Sequence, residues 1–142
     1  MRIFVVGNVD GPLQPKGAYQ ARIKEAFSDA EVVIVEDMGR ILEEVIAGRT
    51  PHMLMIDGDE FARIWPSAMH MHDQMTLILD ECPKAVKVLF ATSDKSLDSS
   101  RDLINTGAMG IIVKGHDDVA EAIEALMSDR AFLSTALAPP PL

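Results

Sequence analysis

Aromatic side chains, cysteine and positive charge are all scarce in this 142-residue chain, and each scarcity closes off a class of protein. Aromatics make up 5% of the residues, so Val, Ile, Leu and Met must fill the interior. The single cysteine, Cys82, excludes an internal disulfide and suits a reducing cytosol. Thirteen Lys and Arg against 22 Asp and Glu leave a net charge of −9. That sign is wrong for a general nucleic-acid surface, which needs a positive stripe along phosphates, and for an anionic membrane. No apolar run approaches the roughly 20 residues of a membrane span. The N-terminus starts directly on an apolar strand-like run, without the separate charged and apolar regions of a signal peptide. These absences leave one cytoplasmic domain, with neither nucleic acid nor membrane as its direct partner.

What is present is a repeating alternation. Short, unalternating, β-branched runs occur at Ile3–Val6, Val32–Val35, Met53–Ile56, Val86–Ala91 and Ile111–Val113, a pattern suited to strands covered on both faces. Between them, apolar residues recur at helical spacing: Tyr19, Ile23 and Phe27; Ile41, Leu42, Val45 and Ile46; Leu103 and Ile104; Val119, Ile123, Leu126 and Met127. A longer helical segment runs from Phe61 to Cys82, with Pro66 near its start and Pro83 closing it. Five strands alternating with five helical segments predict a (βα)5 α/β domain, a doubly wound parallel sheet with right-handed crossovers. The domain is expected over residues 1–134. Residues 135–142, with Pro139, Pro140 and Pro141 in succession, read as a tail or the start of an extended linker.

In such a sheet, ligands gather outside the carboxyl ends of the strands. Three of the runs end on chemically capable residues: Asp57 after Met53–Ile56, Thr92 after Val86–Ala91, and Lys114 after Ile111–Val113. A carboxylate can attack phosphorus to form an aspartyl phosphate. Such a step gathers negative charge, which a divalent metal on carboxylate oxygens and a fixed cation offset. Lys114 supplies the cation, and Thr92 a hydroxyl able to bond the new phosphoryl oxygens. Alone, each of the three reads as a loop cap, a turn residue or a surface amine; at three strand ends together they outline a phosphoryl-acceptor site.

This arrangement resembles the receiver domain of bacterial response regulators, from the first strand to about Ser128. The segment from Thr92 to Lys114, with Gly107-Ala108-Met109-Gly110 before the last strand, carries the likeness best. The resemblance implies a flavodoxin-like sheet with strand order 2-1-3-4-5. It also implies Asp57 as phosphoacceptor, Thr92 as switch hydroxyl, Lys114 as phosphate-binding lysine and Mg²⁺ as cofactor. Lys114-Gly115 in place of Lys-Pro, followed by Ala122–Ser134, is similar to receivers that precede a LuxR-type helix-turn-helix domain. On that basis two alternatives stay open: a free-standing module, or the N-terminal part of a transcription regulator. A histidine kinase is the implied phosphodonor. The implied output is a downstream protein or fused domain, with a homodimer through the last helical face also open. The chain is then a phosphoacceptor with slow self-dephosphorylation rather than a turnover enzyme.

Three departures qualify the resemblance. Receivers carry two consecutive acids after the first strand, whereas this chain has Gly7-Asn8-Val9-Asp10-Gly11. Aligned by strand end, Gly7 and Asn8 take the two positions; aligned on Gly11-Pro12-Leu13, Val9 and Asp10 do, and the second alignment shortens the insertion that follows. The candidate metal ligands are therefore Asp10, Asp57 and Asp59, with reduced Mg²⁺ affinity expected because anionic ligands are missing. After Asp57 the usual proline-containing loop is replaced by Gly58-Asp59-Glu60, whose acids read first as helix N-terminal residues and second as substitute oxygen ligands. Ile111 stands where many receivers carry a switching aromatic. The expected interaction face comprises Ser93–Arg101, Ile111 and Asp117–Met127. The losses favour an alternative, a phosphorylation-independent pseudo-receiver used as a protein-interaction adaptor. A phosphatase-like enzyme using Asp57 and Asp59 is the third class, and it lacks a further carboxylate cluster. His70 and His72, spaced i and i+2, do not share a helix face and make a poor zinc pair. Gly7–Gly11 lacks the spacing of either nucleotide-binding glycine motif.

Overall fold

The computed structural model describes residues 1–138. Among these, the chain forms β1 (Arg2–Val6), α1 (Ala18–Ala26), β2 (Glu31–Val35), α2 (Gly39–Ile46), β3 (Met53–Asp57), α3 (Gly58–Ile64), α4 (Ala68–Asp80), β4 (Lys87–Thr92), α5 (Leu97–Ile104), β5 (Gly110–Val113), α6 (Val119–Met127) and β6 (Phe132–Leu133). The strands make one parallel sheet in the order β2-β1-β3-β4-β5-β6. The first five keep the expected 2-1-3-4-5 order.

Both faces of the sheet are covered, which is why the strands are apolar without alternation. Successive side chains go to opposite faces. Ile3, Val5, Met53, Met55, Leu89 and Ile112 face one core, closed by Tyr19 and Ile23 of α1 and Ile123 and Leu126 of α6. Phe4, Val6, Leu54, Ile56, Phe90 and Ile111 face the other, closed by Ile41 of α2, Phe61 of α3, Met71 and Met75 of α4, and Leu103 of α5. Tilted contacts of Phe61 with Phe90 and Trp65, at centroid separations of 5.2 and 5.0 Å, concentrate much of the small aromatic complement in this second core. The helical stripes are narrower than their sequence suggested: Leu42, Ile46 and Met127 are exposed.

Two elements differ from expectation. The Phe61–Cys82 segment is two helices, because Pro66 disfavours helical geometry at Trp65, which takes φ −120° and ψ 84°. Ser67 then caps α4 by accepting from the His70 amide at 3.1 Å. His70 and His72 are exposed on that helix. The second difference is β6, only two residues long and so without a periodic signal. It pairs parallel to β5, with Gly110 opposite Phe132 and Ile111 opposite Leu133. Residues 134–138 then return to the β4–α5 loop. There the Ala138 amide donates to the Lys95 carbonyl and the Leu97 amide to the Ala138 carbonyl, each at 2.9 Å. Residues 135–138 of the expected tail are thus tied to the domain, while Pro139–Leu142 lie outside the described residues. No helix among the described residues is long and apolar enough to cross a membrane.

The β1–α1 and β5–α6 loops meet at two glycines. A Cβ on Gly11 would lie 2.8 Å from the Gly115 Cα and 2.9 Å from its nitrogen, so backbone would have to move. Gly11→Ala is expected to destabilise the fold by about 1–3 kcal/mol through overpacking. Urea unfolding checks this: the midpoint should fall while the m-value stays unchanged.

Candidate functional site

The parallel sheet places every strand's carboxyl end at one edge, and β3, β4 and β5 are adjacent there. Asp57 pairs with Ala91, and Thr92 with Val113, so Asp57, Thr92 and Lys114 are set within one or two residues of a common level. Asp57 is the last residue of β3 and the N-cap of α3. Its Oδ1 accepts from the Asp59 amide at 3.1 Å and the Glu60 amide at 3.3 Å. The same oxygen accepts from Lys114 Nζ at 2.8 Å. Among the described residues nothing donates to Oδ2, so this oxygen holds the available nucleophilic lone pairs. Asp57 also lines a pocket of about 330 Å³ with Val6, Gly7, Ile56 and Phe61.

Asp59 is where the geometry departs from the sequence reading. From the first turn of α3 its carboxylate crosses to β4 and β5. Oδ1 accepts from the Thr92 hydroxyl at 2.9 Å and the Ser93 amide at 2.9 Å; Oδ2 lies 3.0 Å from Lys114 Nζ. Thr92 is 3% exposed, and the Lys114 side chain 6%, against 12% for Asp57 and 36% for Asp59. Lys114 thus sits between two carboxylates. Burial alone would raise the Asp59 carboxyl, but bonds from the Ser93 amide, Lys114 and Thr92 hold it below the ordinary carboxylate range. Burial likewise opposes the charged Lys114, and its bonds to Asp57 and Asp59 override that and raise it above the usual lysine value.

Of the sequence candidates, Asp57, Asp59, Thr92 and Lys114 come together and Asp10 does not. The Asp10 carboxylate accepts from the Gly17 amide at 2.8 Å and the Tyr19 amide at 3.0 Å, ordering the approach to α1. At the end of β1, Gly7 abuts Asp57: a Cβ there would be 2.8 Å from Asp57 Cβ, and its φ is +79°. Gly7 therefore stands next to Asp57, and the alignment that puts Val9 and Asp10 there is corrected. Val9 is instead buried in the first core. The residues present do not fit Mg²⁺, because β1 ends without a carboxylate and Asp10 is spent on backbone amides. Among the described residues, no group of three or more His, Cys, Asp or Glu could hold a metal ion.

Sequence reasoning missed the Ser93 amide, which as a backbone donor leaves no residue-type signal. The Asp57-x-Asp59 spacing was the available sign, since it sets the second acid on the first helical turn, facing the neighbouring strand. Ile111, placed on an expected interaction face, is fully buried, and its strand edge is covered by β6.

Removing the cation should be costly. Losing one partner of a fully buried ion pair costs about 3–5 kcal/mol. Lys114→Met is expected to cost about 2 kcal/mol, because Asp59 is 36% exposed and water screens part of the repulsion left behind. Chemical denaturation at neutral pH measures this. The pH dependence has two signs. Asp59, with its lowered folded value, stabilises at all pH above its unfolded value and loses that contribution as pH falls through the folded one. Lys114, with its raised value, stabilises below its unfolded value and loses that contribution as pH rises through the folded one. The stability difference between wild type and Asp59→Asn should therefore be present at neutral pH and shrink in strong acid, read from urea midpoints.

No protein-family model matches the sequence, nor does any curated protein. Solved structures do match the fold. A LuxR family DNA-binding response regulator from Silicibacter pomeroyi superposes with a TM-score of 0.68 at 17% identity, over 96% of this chain and 99% of that one. The isolated REC domain of RcsB from Salmonella enterica serovar Typhimurium, solved with the phosphomimetic BeF3⁻, gives 0.67 at 13% identity, over 96% and 95%. The pilus assembly protein CpaE from Caulobacter crescentus gives 0.58 at 16% identity, over 88% and 98%. With its first five strands in receiver order and such neighbours spanning nearly its whole length, this chain has the flavodoxin-like fold of response-regulator receiver domains.

Proposed function

We propose that the chain is an atypical receiver module of bacterial two-component signalling, which takes a phosphoryl group on Asp57 from a histidine kinase and changes its protein contacts in response. One observation carries the reading: a nucleophilic carboxylate, a buried ammonium and a buried hydroxyl converge at the ends of three adjacent strands. A scaffold alone has no need of that combination. In the chemical step Asp57 Oδ2 attacks phosphorus; the new O–P bond forms as the P–N bond to the donor imidazole breaks, and the imidazole leaves with the electron pair and takes a proton. Lys114 offsets part of the added charge. Since the side chains do not make a magnesium site, no step here is routed through the metal. The protein is a phosphoacceptor on this reading, and its output is a downstream protein or a fused domain, such as the DNA-binding part of a LuxR-type regulator.

A specific observation favours a second reading. Asp59 already takes the donors that a phosphoryl group would need, which suits an adaptor working without phosphorylation. Incubation with acetyl phosphate and Mg²⁺, followed by intact mass, separates the two, with Asp57→Asn as control. A hydroxylamine-labile adduct in the wild type and none in the variant is the expected outcome. No adduct in either would move the assignment to the adaptor.

A further inference from the structure

A hydroxyl, a backbone amide and an ammonium directed at one point are the donors that recognise a tetrahedral oxyanion. Here the point is taken by a carboxylate of the chain itself. Asp59 Oδ1 accepts from Thr92 and Ser93, while Oδ2 lies against Lys114, at 2.9, 2.9 and 3.0 Å. Nothing about a helix N-terminus requires this reach: the backbone amides of α3's first turn are capped by Asp57, not Asp59. We propose that Asp59 is a resident anion, occupying the phosphoryl place and holding the β4–α5 loop in its ligated arrangement without phosphate. This rests on reading the cluster as a receiver site.

The contact reaches beyond the site. Thr92, while donating to Asp59, accepts from the Asp94 amide at 3.1 Å, and the Asp94 carboxylate accepts from the Ser96 amide at 2.8 Å. Ser96 lies beside Ala138, whose backbone exchanges the two bonds with Lys95 and Leu97. Hydrogen bonds joined through the backbone of residues 94–97 therefore link the Asp59 carboxylate to Ala138 of the docked segment 134–138. Two states follow. With Asp59 seated, the loop is ordered and the C-terminal segment docked. With Asp59 withdrawn, the pocket accepts an external phosphoryl-like anion, and the loop loses its tether until that anion binds. A phosphoryl dianion cannot share the same donors with the Asp59 carboxylate, because like charges at hydrogen-bond distance repel.

Beryllofluoride, a tetrahedral phosphoryl analogue, tests this when titrated with Mg²⁺ into wild type, Asp59→Ala and the isosteric Asp59→Asn. Binding is read by fluorine NMR and loop order by amide hydrogen exchange. Asp59→Ala is expected to bind the analogue at least about tenfold more tightly than wild type. Its Ser93, Leu97 and Ala138 amides should exchange faster than wild type, and beryllofluoride should slow them again. Asp59→Asn, which keeps the shape and loses the charge, should shift both readings the same way and guards against loss of fold in the alanine variant. Equal, measurable binding in wild type and both variants would overturn the inference while leaving the receiver reading in place. If no form binds the analogue, exchange decides. Faster exchange in the variants keeps Asp59 as the loop's anchor and removes the phosphoacceptor reading; unchanged exchange overturns the resident anion as well.

Discussion

The Lys114 ammonium, 6% exposed and bonded to two carboxylates, is the constraint around which the working edge of this molecule is arranged. A buried cation must be matched closely or it destabilises the fold. Matching it here requires β3 and β5 to deliver Asp57 and Lys114 to one level across the intervening β4. The parallel sheet does so and brings Thr92 of β4 to the same edge, because all its strands finish there. The two cores above and below hold the strands in that register: a shift of one residue would exchange the faces of Met55 and Ile56 and expose one core to the other's helices.

The same edge explains why the chain departs from the two-acid pattern at β1. Gly7, with φ +79°, lies so close to Asp57 that any side chain there would strike it. A second carboxylate reaches Lys114 from α3, that of Asp59 at 3.0 Å. One ammonium thus lies between two carboxylates of the same polypeptide, and the trio carries a net negative charge. The β4–α5 loop is tied in by Thr92 and Ser93. Segment 134–138 docks on that loop, and β6 covers the edge of β5, so the face expected to meet partners is partly occupied by the chain's own C-terminal residues.

Much of the site was legible because strand termini are legible: an apolar run that stops on Asp57, Thr92 or Lys114 names the level at which that residue stands. The role of Asp10 was not. Its carboxylate answers to the Gly17 and Tyr19 amides, and backbone donors carry no letter in the sequence. The Ser93 amide was hidden for the same reason. Asp59 read first as a dipole-compensating acid at a helix start; its partners lie 33 and 55 residues away on other strands, beyond what local spacing can express.

What the sequence determined by itself is the alternation of strand and helix, the doubly wound parallel architecture, and the trio Asp57, Thr92 and Lys114, since all follow from local periodicity and from where each apolar run ends. Only the tertiary structure decided that Pro66 splits one helical segment in two, that Phe132 and Leu133 make a sixth strand, that Gly7 rather than Asp10 stands beside Asp57, and that Asp59 takes the Thr92, Ser93 and Lys114 donors. Each of these depends on contacts between distant segments, where packing and hydrogen-bond geometry, not residue preference, set the outcome.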